Sequence, residues 1–214
     1  MLNRSSTAHG MTAIIDYGVG NLFSLKSSFA AIGEEAEVTA DPECLRAAER
    51  IILPGVGAFA DAAEKLRATG MADLVRELAA GGKPLMGICL GMQLLFERSF
   101  EYGEHEGLAL LRGEIRPIAE IAAGNPKIPQ MGWNRLTFRK PSVLFTDIRE
   151  GDYVYFVHSY CAVGCGDSLT AVTDYGAEIT ACVENGNVFG CQFHPEKSGS
   201  VGLRILKAFC GVTV

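Results

Sequence analysis

The sequence predicts an α/β fold, with a central mixed, mostly parallel sheet flanked by helices. Three observations predict it. Short apolar runs alternate with helical patterns through the first hundred residues. Three of these runs, those before Gly18, Gly55 and Gly91, end in a glycine-containing turn rather than a hairpin signal. The last third instead carries β-branched and aromatic runs around Asn185-Gly186, a hairpin signature. The sheet is therefore expected to run parallel first and antiparallel later.

Taken in order, Ala13-Ile14-Ile15 reads as a buried strand broken by Asp16-Tyr17-Gly18-Val19-Gly20-Asn21, then a helix over 22–32 ended by Gly33. Phe23 stands where a dinucleotide fingerprint needs its third glycine, so a nucleotide cofactor is not expected. Val38-Thr39 suggests a second strand, and Asp41-Pro42 an N-cap with proline at the first helical position. Arg50-Ile51-Ile52-Leu53 is a third strand closed by Pro54-Gly55-Val56-Gly57-Ala58-Phe59. Met71, Leu74, Val75 and Leu78 fall on one helical face, which Gly81 and Gly82 end. Tyr153-Val154-Tyr155-Phe156-Val157-His158 reads as a strand, and residues 179–183 and 188–193 as the arms of the hairpin. Ser198 is expected to cap a last helix in which Gly202, Ile205, Leu206 and Phe209 share a face.

The chain of 214 residues suits one domain over 11–214; residues 1–10 are polar, end before a second methionine and are set aside as a tail foreign to the fold. Hydrophobic residues at 48% and charged ones at 21% exclude a disordered chain, and a net charge of −6 speaks against a nucleic-acid partner. Six basic residues between Arg112 and Lys140 read first as a solvated face and only second as a docking surface. No apolar run approaches the roughly 18 residues of a membrane span. Seven scattered cysteines without a secretory leader point to a reducing cytoplasm, and Cys161 and Cys165 lack the second ligand pair of a zinc site.

Chemistry concentrates at Gly87-Ile88-Cys89-Leu90-Gly91-Met92-Gln93, which follows an apolar run opened by Pro84 and leads into Leu94-Leu95-Phe96. Glycines two residues before and after the central side chain make the nucleophile-elbow pattern, with sulfur in place of a serine oxygen. The turn lifts Cys89 to a helix N-terminus, where unpaired N–H groups favour negative charge. A buried core cysteine between packing glycines is the competing reading. A thiolate needs a proton carrier. Of four histidines, His9 lies in the tail and His105 in an acidic loop, whereas His158 and His194 each end a strand. Pro195 extends the backbone at His194, so Glu196 falls on the same side and can accept a hydrogen bond from the imidazole. The Leu90 N–H and the glycine loop 54–59 are candidate donors to an oxyanion.

The loop 54–59, the Cys89 elbow and His194-Pro195-Glu196-Lys197-Ser198 occur in the order and spacing of the class I (triad) glutamine amidotransferases, which the chain resembles from Met11 onward. Asp16-Tyr17-Gly18-Val19-Gly20-Asn21, Met131-Gly132-Trp133-Asn134 and Phe156-Val157-His158-Ser159-Tyr160 resemble, within them, the glutaminase subunits of imidazole glycerol phosphate synthase. The resemblance implies a flavodoxin-like fold, no cofactor and no metal, and a Cys89, His194, Glu196 triad hydrolysing L-glutamine through a thioester. It implies an oxyanion hole from Leu90 with Val56 or Gly57, and substrate contacts from Gln93, Ser159 and Tyr160. It further implies a heterodimer with the cyclase subunit of that synthase, a (β/α)8 barrel, and low glutaminase activity until the partner binds its ligand. Because the chain ends 18 residues after Glu196, no fused acceptor domain is expected. Asn21, Trp133, Tyr155 and Lys197, on loops at the active edge, are the docking candidates. Two other readings compete: a stand-alone cysteine hydrolase acting on γ-glutamyl or peptide amides, and a non-catalytic interaction subunit.

Overall fold

The protein is described, as a computed structural model, over residues 10–212; most of the expected tail, with His9, lies outside the described residues. The chain opens with β1 (Thr12–Ile15), α1 (Leu22–Ala31), β2 (Ala36–Thr39), α2 (Pro42–Ala47) and β3 (Arg50–Leu53). It continues through α3 (Phe59–Ala68), α4 (Met71–Ala80), β4 (Leu85–Ile88) and the one-turn α5 (Leu90–Leu94). These are the expected strands and helices, except that α3 escaped the sequence reading. Asp41 caps α2 as expected, its carboxylate accepting from the Glu43 N–H at 3.0 Å with Pro42 in the first turn.

A segment without a counterpart in the sequence reading follows: β5 (Phe96–Ser99), β6 (His105–Glu106), β7 (Leu111–Pro117), α6 (Ile118–Ile121), β8 (Gln130–Arg135) and β9 (Thr137–Phe138). The chain closes with β10 (Tyr153–His158), β11 (Tyr160–Val163), β12 (Leu169–Asp174), β13 (Glu178–Asn185), β14 (Val188–Cys191) and α7 (Gly199–Cys210).

The main sheet has eight strands in the order β2-β1-β3-β4-β14-β13-β12-β9. It is parallel from β2 through β14 and antiparallel beyond, as the residue pattern predicts. Asn185 pairs with Val188, so the hairpin turn is Gly186-Asn187, one residue later than the dipeptide rule suggests. Consecutive side chains of β1 and β3 are buried on opposite faces. Ile14 and Ile52 pack with Phe29 of α1 and Phe209 of α7, whereas Ile15, Ile51 and Leu53 pack with Phe59 of α3 and Val75 and Leu78 of α4. Strands buried on both faces read as unbroken apolar runs, the pattern of a doubly wound sheet. β10 does not join this sheet; it pairs with β8 in a separate two-stranded ribbon, and β11-β7-β5-β6 form a third sheet. Among the described residues no helix is long and apolar enough to cross a membrane.

The buried face of α7 carries Gly202, Ile205, Leu206 and Phe209, as expected; Ser198 stands at its N-cap, but its side chain makes no capping bond. Its hydroxyl instead donates to the His194 carbonyl at 2.6 Å and accepts from the Tyr155 N–H at 2.9 Å. The His194 N–H in turn donates to the Tyr155 carbonyl at 2.9 Å, closing a ring that ties β10 to the segment after β14.

The elbow glycines have a steric cause. A Cβ on Gly91 would sit 1.9 Å from the Leu53 carbonyl oxygen, and one on Gly87 would sit 2.7 Å from the Gly91 oxygen and Met92 backbone. Backbone on both sides cannot yield as a side-chain tip would. Gly91→Ala is therefore expected to cost at least about 3 kcal/mol, lowering the melting temperature by roughly 6–12 °C. A melt within a degree of the parent would contradict this packing.

Candidate active site

Strands β4 and β14 run side by side, Ile88 opposite Cys191, and leave the sheet at the same edge. Ligands in open α/β sheets gather at that edge. Cys89 is the next residue on one strand, and its N–H extends the ladder to the Cys191 carbonyl at 2.8 Å. Gln192, Phe193 and His194 continue the other. Two adjacent strand ends thus bring residues about a hundred positions apart into one cavity of about 600 Å³, lined by Cys89 and His194 among others.

Cys89 holds φ 53° and ψ −112°, a conformation that side chains rarely adopt and that costs on the order of 1–3 kcal/mol. Cys89 is only 7% exposed yet lines the cavity, so the core-cysteine reading fails on position rather than on burial. The loop 54–59 presses on this turn. A Cβ on Gly55 would meet the Gly91 nitrogen at 2.6 Å and the Leu90 side chain at 2.9 Å. Both ends of the loop are pinned: the Tyr17 hydroxyl donates to the Pro54 carbonyl at 2.7 Å, and the Phe59 N–H donates to Glu101 Oε2 at 2.6 Å. Burial first, and the nearby Cys89 second, push the Tyr17 phenol well up, so it remains a neutral donor. Val56, Gly57 and Leu90 all line the cavity, Gly57 with φ +92°.

His194 Nδ1 and Glu196 Oε1 are 2.8 Å apart, the i and i+2 pair that Pro195 was expected to align, and both side chains are almost fully buried. Burial would lower the His194 pKa, but hydrogen bonds to Cys89 and Glu196, reinforced by their charges, raise it to about 9. His158, left open by the sequence, sits in the same cavity under opposite control. Burial, followed by the positive field of His194, outweighs the Tyr160 carbonyl bond and holds its pKa down to about 4. Its ring nitrogens face the Tyr160 carbonyl oxygen at 2.8 Å and the Gln130 carboxamide at 3.0 Å. The two histidines of the cavity are thus tuned in opposite directions, His194 toward its charged form and His158 toward its neutral one.

Gln93, Ser159 and Tyr160 line the cavity as expected, and Gln93 Nε2 donates to the Tyr160 carbonyl at 3.0 Å. The sequence reading missed Glu101, the acidic side chain at the mouth beside the exposed Tyr102. Glu101 belongs to the acidic loop that carries His105, and only the fold brings that loop over the cavity. The docking candidates need one correction. Trp133 and Tyr155 are not on loops but are direct cross-strand partners on the β8–β10 ribbon, rings edge to face at 5.8 Å. Trp133 is 52% exposed, so its ring is available to a partner. Lys197 lines the cavity itself, while Asn21 stands at the head of α1.

A model of the family described as glutamine amidotransferase class-I matches residues 13–211. Imidazole glycerol phosphate synthase subunit HisH of Wolinella succinogenes is 49% identical over 204 residues, covering 94% of this chain and 100% of its own. The subunit of that name from Caldanaerobacter subterraneus subsp. tengcongensis is 51% identical over 200 residues, covering 93% and 97%. Among solved structures, a crystal structure of a glutamine amidotransferase superposes with TM-score 0.72 at 21% identity, covering 94% of this chain and 99% of its own. The structure of PurLQS from Thermotoga maritima gives TM-score 0.71 at 23% identity, covering 93% and 96%; both show the fold. The strand-end cysteine, its histidine and carboxylate, and relatives matched along nearly their whole length agree: the chain belongs to the class I glutamine amidotransferases, among the HisH subunits of imidazole glycerol phosphate synthase.

Proposed function

We propose that this chain is the glutaminase subunit of imidazole glycerol phosphate synthase in histidine biosynthesis, acting in the cytoplasm. It hydrolyses L-glutamine to glutamate and ammonia and delivers the ammonia to a separate cyclase subunit. The observation that supports this best is the His194–Glu196 pair at 2.8 Å sharing a cavity with the Cys89 elbow, in a chain 49% identical to a curated HisH.

In this reading the Cys89 thiolate attacks the side-chain amide carbon of glutamine. The developing oxyanion is held by the Leu90 N–H and by one from Val56 or Gly57; losing one such donor costs about 2.7–4 kcal/mol in other enzymes. His194, charged at the start, gives its proton to the departing nitrogen, and ammonia leaves as the C–N bond breaks. The now neutral imidazole takes a proton from water, which attacks the γ-glutamyl thioester; the sulfur leaves as thiolate and glutamate is released. Glu196 keeps Nδ1 protonated and aims Nε2 at the reacting atoms. Gln93 and the Ser159-Tyr160 backbone hold the amino-acid end of the substrate.

Glu101 supplies the negative charge that the substrate's α-ammonium needs at the mouth. Glu101→Gln keeps an oxygen for the Phe59 N–H but removes that charge. It is expected to raise the KM for glutamine about 10- to 100-fold with a smaller effect on kcat, measured by glutamate release. An unchanged KM would remove Glu101 from the substrate site.

Free ammonia would largely protonate in water and lose its nucleophilicity, so direct transfer to a docked partner is required. Asn21, the Trp133–Tyr155 pair and Lys197 form the proposed docking face; an exposed tryptophan packed on a half-buried tyrosine suits the centre of such an interface. The deciding assay measures glutamate release by this chain alone, then with the cyclase subunit and its nucleotide ligand. Strong stimulation is expected. High unstimulated turnover would instead indicate a stand-alone hydrolase, and silence in both arms a binding subunit.

A further inference from the structure

Gln192 follows β14 directly, between Cys191 and Phe193, in a context that reads as core. It is fully buried, and its backbone N–H donates to the Ala181 carbonyl at 2.9 Å. Its side chain spans the gap between Cys89 and Gln93. Nε2 lies 3.8 Å from Cys89 Sγ, and Oε1 accepts from Gln93 Nε2 at 3.0 Å.

The orientation of this amide is dictated from its far end. The Tyr160 carbonyl oxygen can only accept, and it takes Gln93 Nε2 at 3.0 Å. Gln93 must therefore present its nitrogen there, and the second hydrogen on that nitrogen requires another acceptor. This turns the Gln192 oxygen toward Gln93 and leaves the Gln192 nitrogen facing the sulfur. A flipped Gln192 would set two N–H₂ groups against each other, an uncompensated burial of donors. Gln192 is 0% exposed, so solvent does not offer its amide an alternative partner.

We propose that Gln192 is a further catalytic residue of the amidotransferase reaction, an N–H donor to the Cys89 sulfur aimed by the Tyr160 carbonyl through Gln93. The proposal deepens the reading of Cys89 as nucleophile and rests on it. A sulfur anion accepts a hydrogen bond more strongly than a thiol or thioester sulfur does, and a dry site strengthens the difference. The N–H therefore favours the attacking thiolate, contributes least in the thioester, and meets the sulfur again as water expels it. His194 loses its charge during the cycle, whereas this dipole does not. The same relay joins the nucleophile to Gln93, which holds the substrate.

The test is iodoacetamide alkylation across pH, resolved at the Cys89 peptide by mass spectrometry. Gln192→Met and Gln192→Leu both remove the donor, and folding is checked by a cooperative melt. Each is expected to alkylate about tenfold more slowly at neutral pH and to recover toward the parent rate at high pH, a displacement of the whole curve. Glutamine kcat should fall at least as far, with KM changing less. A rate–pH curve superimposed on the parent's overturns the proposal even if activity is lost, and so does a rate lowered equally at every pH. If neither variant folds, Gln93→Leu, which frees Gln192 to turn over, must displace the curve in the same direction, and an unmoved curve overturns the proposal. Failure of the underlying nucleophile reading shows separately, as glutaminase activity surviving Cys89→Ser.

Discussion

Cys89→Ser is expected to lower glutamine hydrolysis on the order of 10⁴-fold or more, while the complex with the cyclase keeps its synthesis from added ammonium salts. The size of the effect follows from the triad acting as a unit: without the thiolate, His194 and Glu196 have no nucleophile to serve. The selectivity follows from the proposed division of labour, which places the acceptor chemistry in another chain. Serine occupies nearly the same volume at the strained φ 53° position, so the elbow should survive. Parallel assays with glutamine and with ammonium salts, on the parent and variant complexes, check this. Equal loss of both activities would mean that the substitution disturbs docking and that the assignment of the chemistry is wrong.

Glu196→Gln carries the second large effect, in both rate and pH dependence. The comparable replacement in a serine-based triad costs about 10⁴-fold by allowing the wrong tautomer. Here the carboxylate has a further task. With Cys89, it holds the His194 pKa up at about 9 against burial. The acylating form needs the imidazolium, so kcat/KM should be flat through neutral pH and fall as pH rises through about 9. Removing the Glu196 charge leaves burial less opposed, so the pKa falls and the alkaline limb must move to lower pH. The same shift carries a stability linkage of matching sign. A histidine raised above its unfolded value of 6.5 contributes stability that is complete below that value and is lost as pH rises through about 9. Rate–pH profiles of parent and variant test the limb; a limb that stays in place would separate Glu196 from control of His194.

The parts of this site that could be read from residues are those whose geometry is local. The elbow needs only glycines at 87 and 91, and their steric reason, contact with Leu53 and Met92 backbone, is what the motif encodes. The His194–Glu196 pair needs only an extended Pro195. Strands β1, β3 and β4 announce themselves because double-sided burial makes them apolar throughout. What escaped is set by distant chain. α3 begins on a cap supplied not by its own Ala58 but by Glu101, which accepts the Phe59 N–H from 42 residues away, so no local signal marks its start. The β5-β6-β7-β11 sheet mixes short and bulged strands whose pairing has no period to detect. Ser198 has the look of a cap yet bonds to β10 instead. His158 and His194 are alike in sequence, each read as ending a strand, and both are buried; their partners separate them, one held near 4 and the other near 9.

The central claim is that the Cys89 sulfur carries the γ-glutamyl group, and trapping that intermediate tests it most directly. The complex is mixed with isotopically labelled glutamine, quenched in acid during turnover, digested and examined by mass spectrometry. The account predicts the label as a thioester on the peptide containing Cys89, and none on that peptide in Cys89→Ser. Label on another of the seven cysteines, or glutamate release with no adduct on Cys89 under conditions that preserve thioesters, would contradict it.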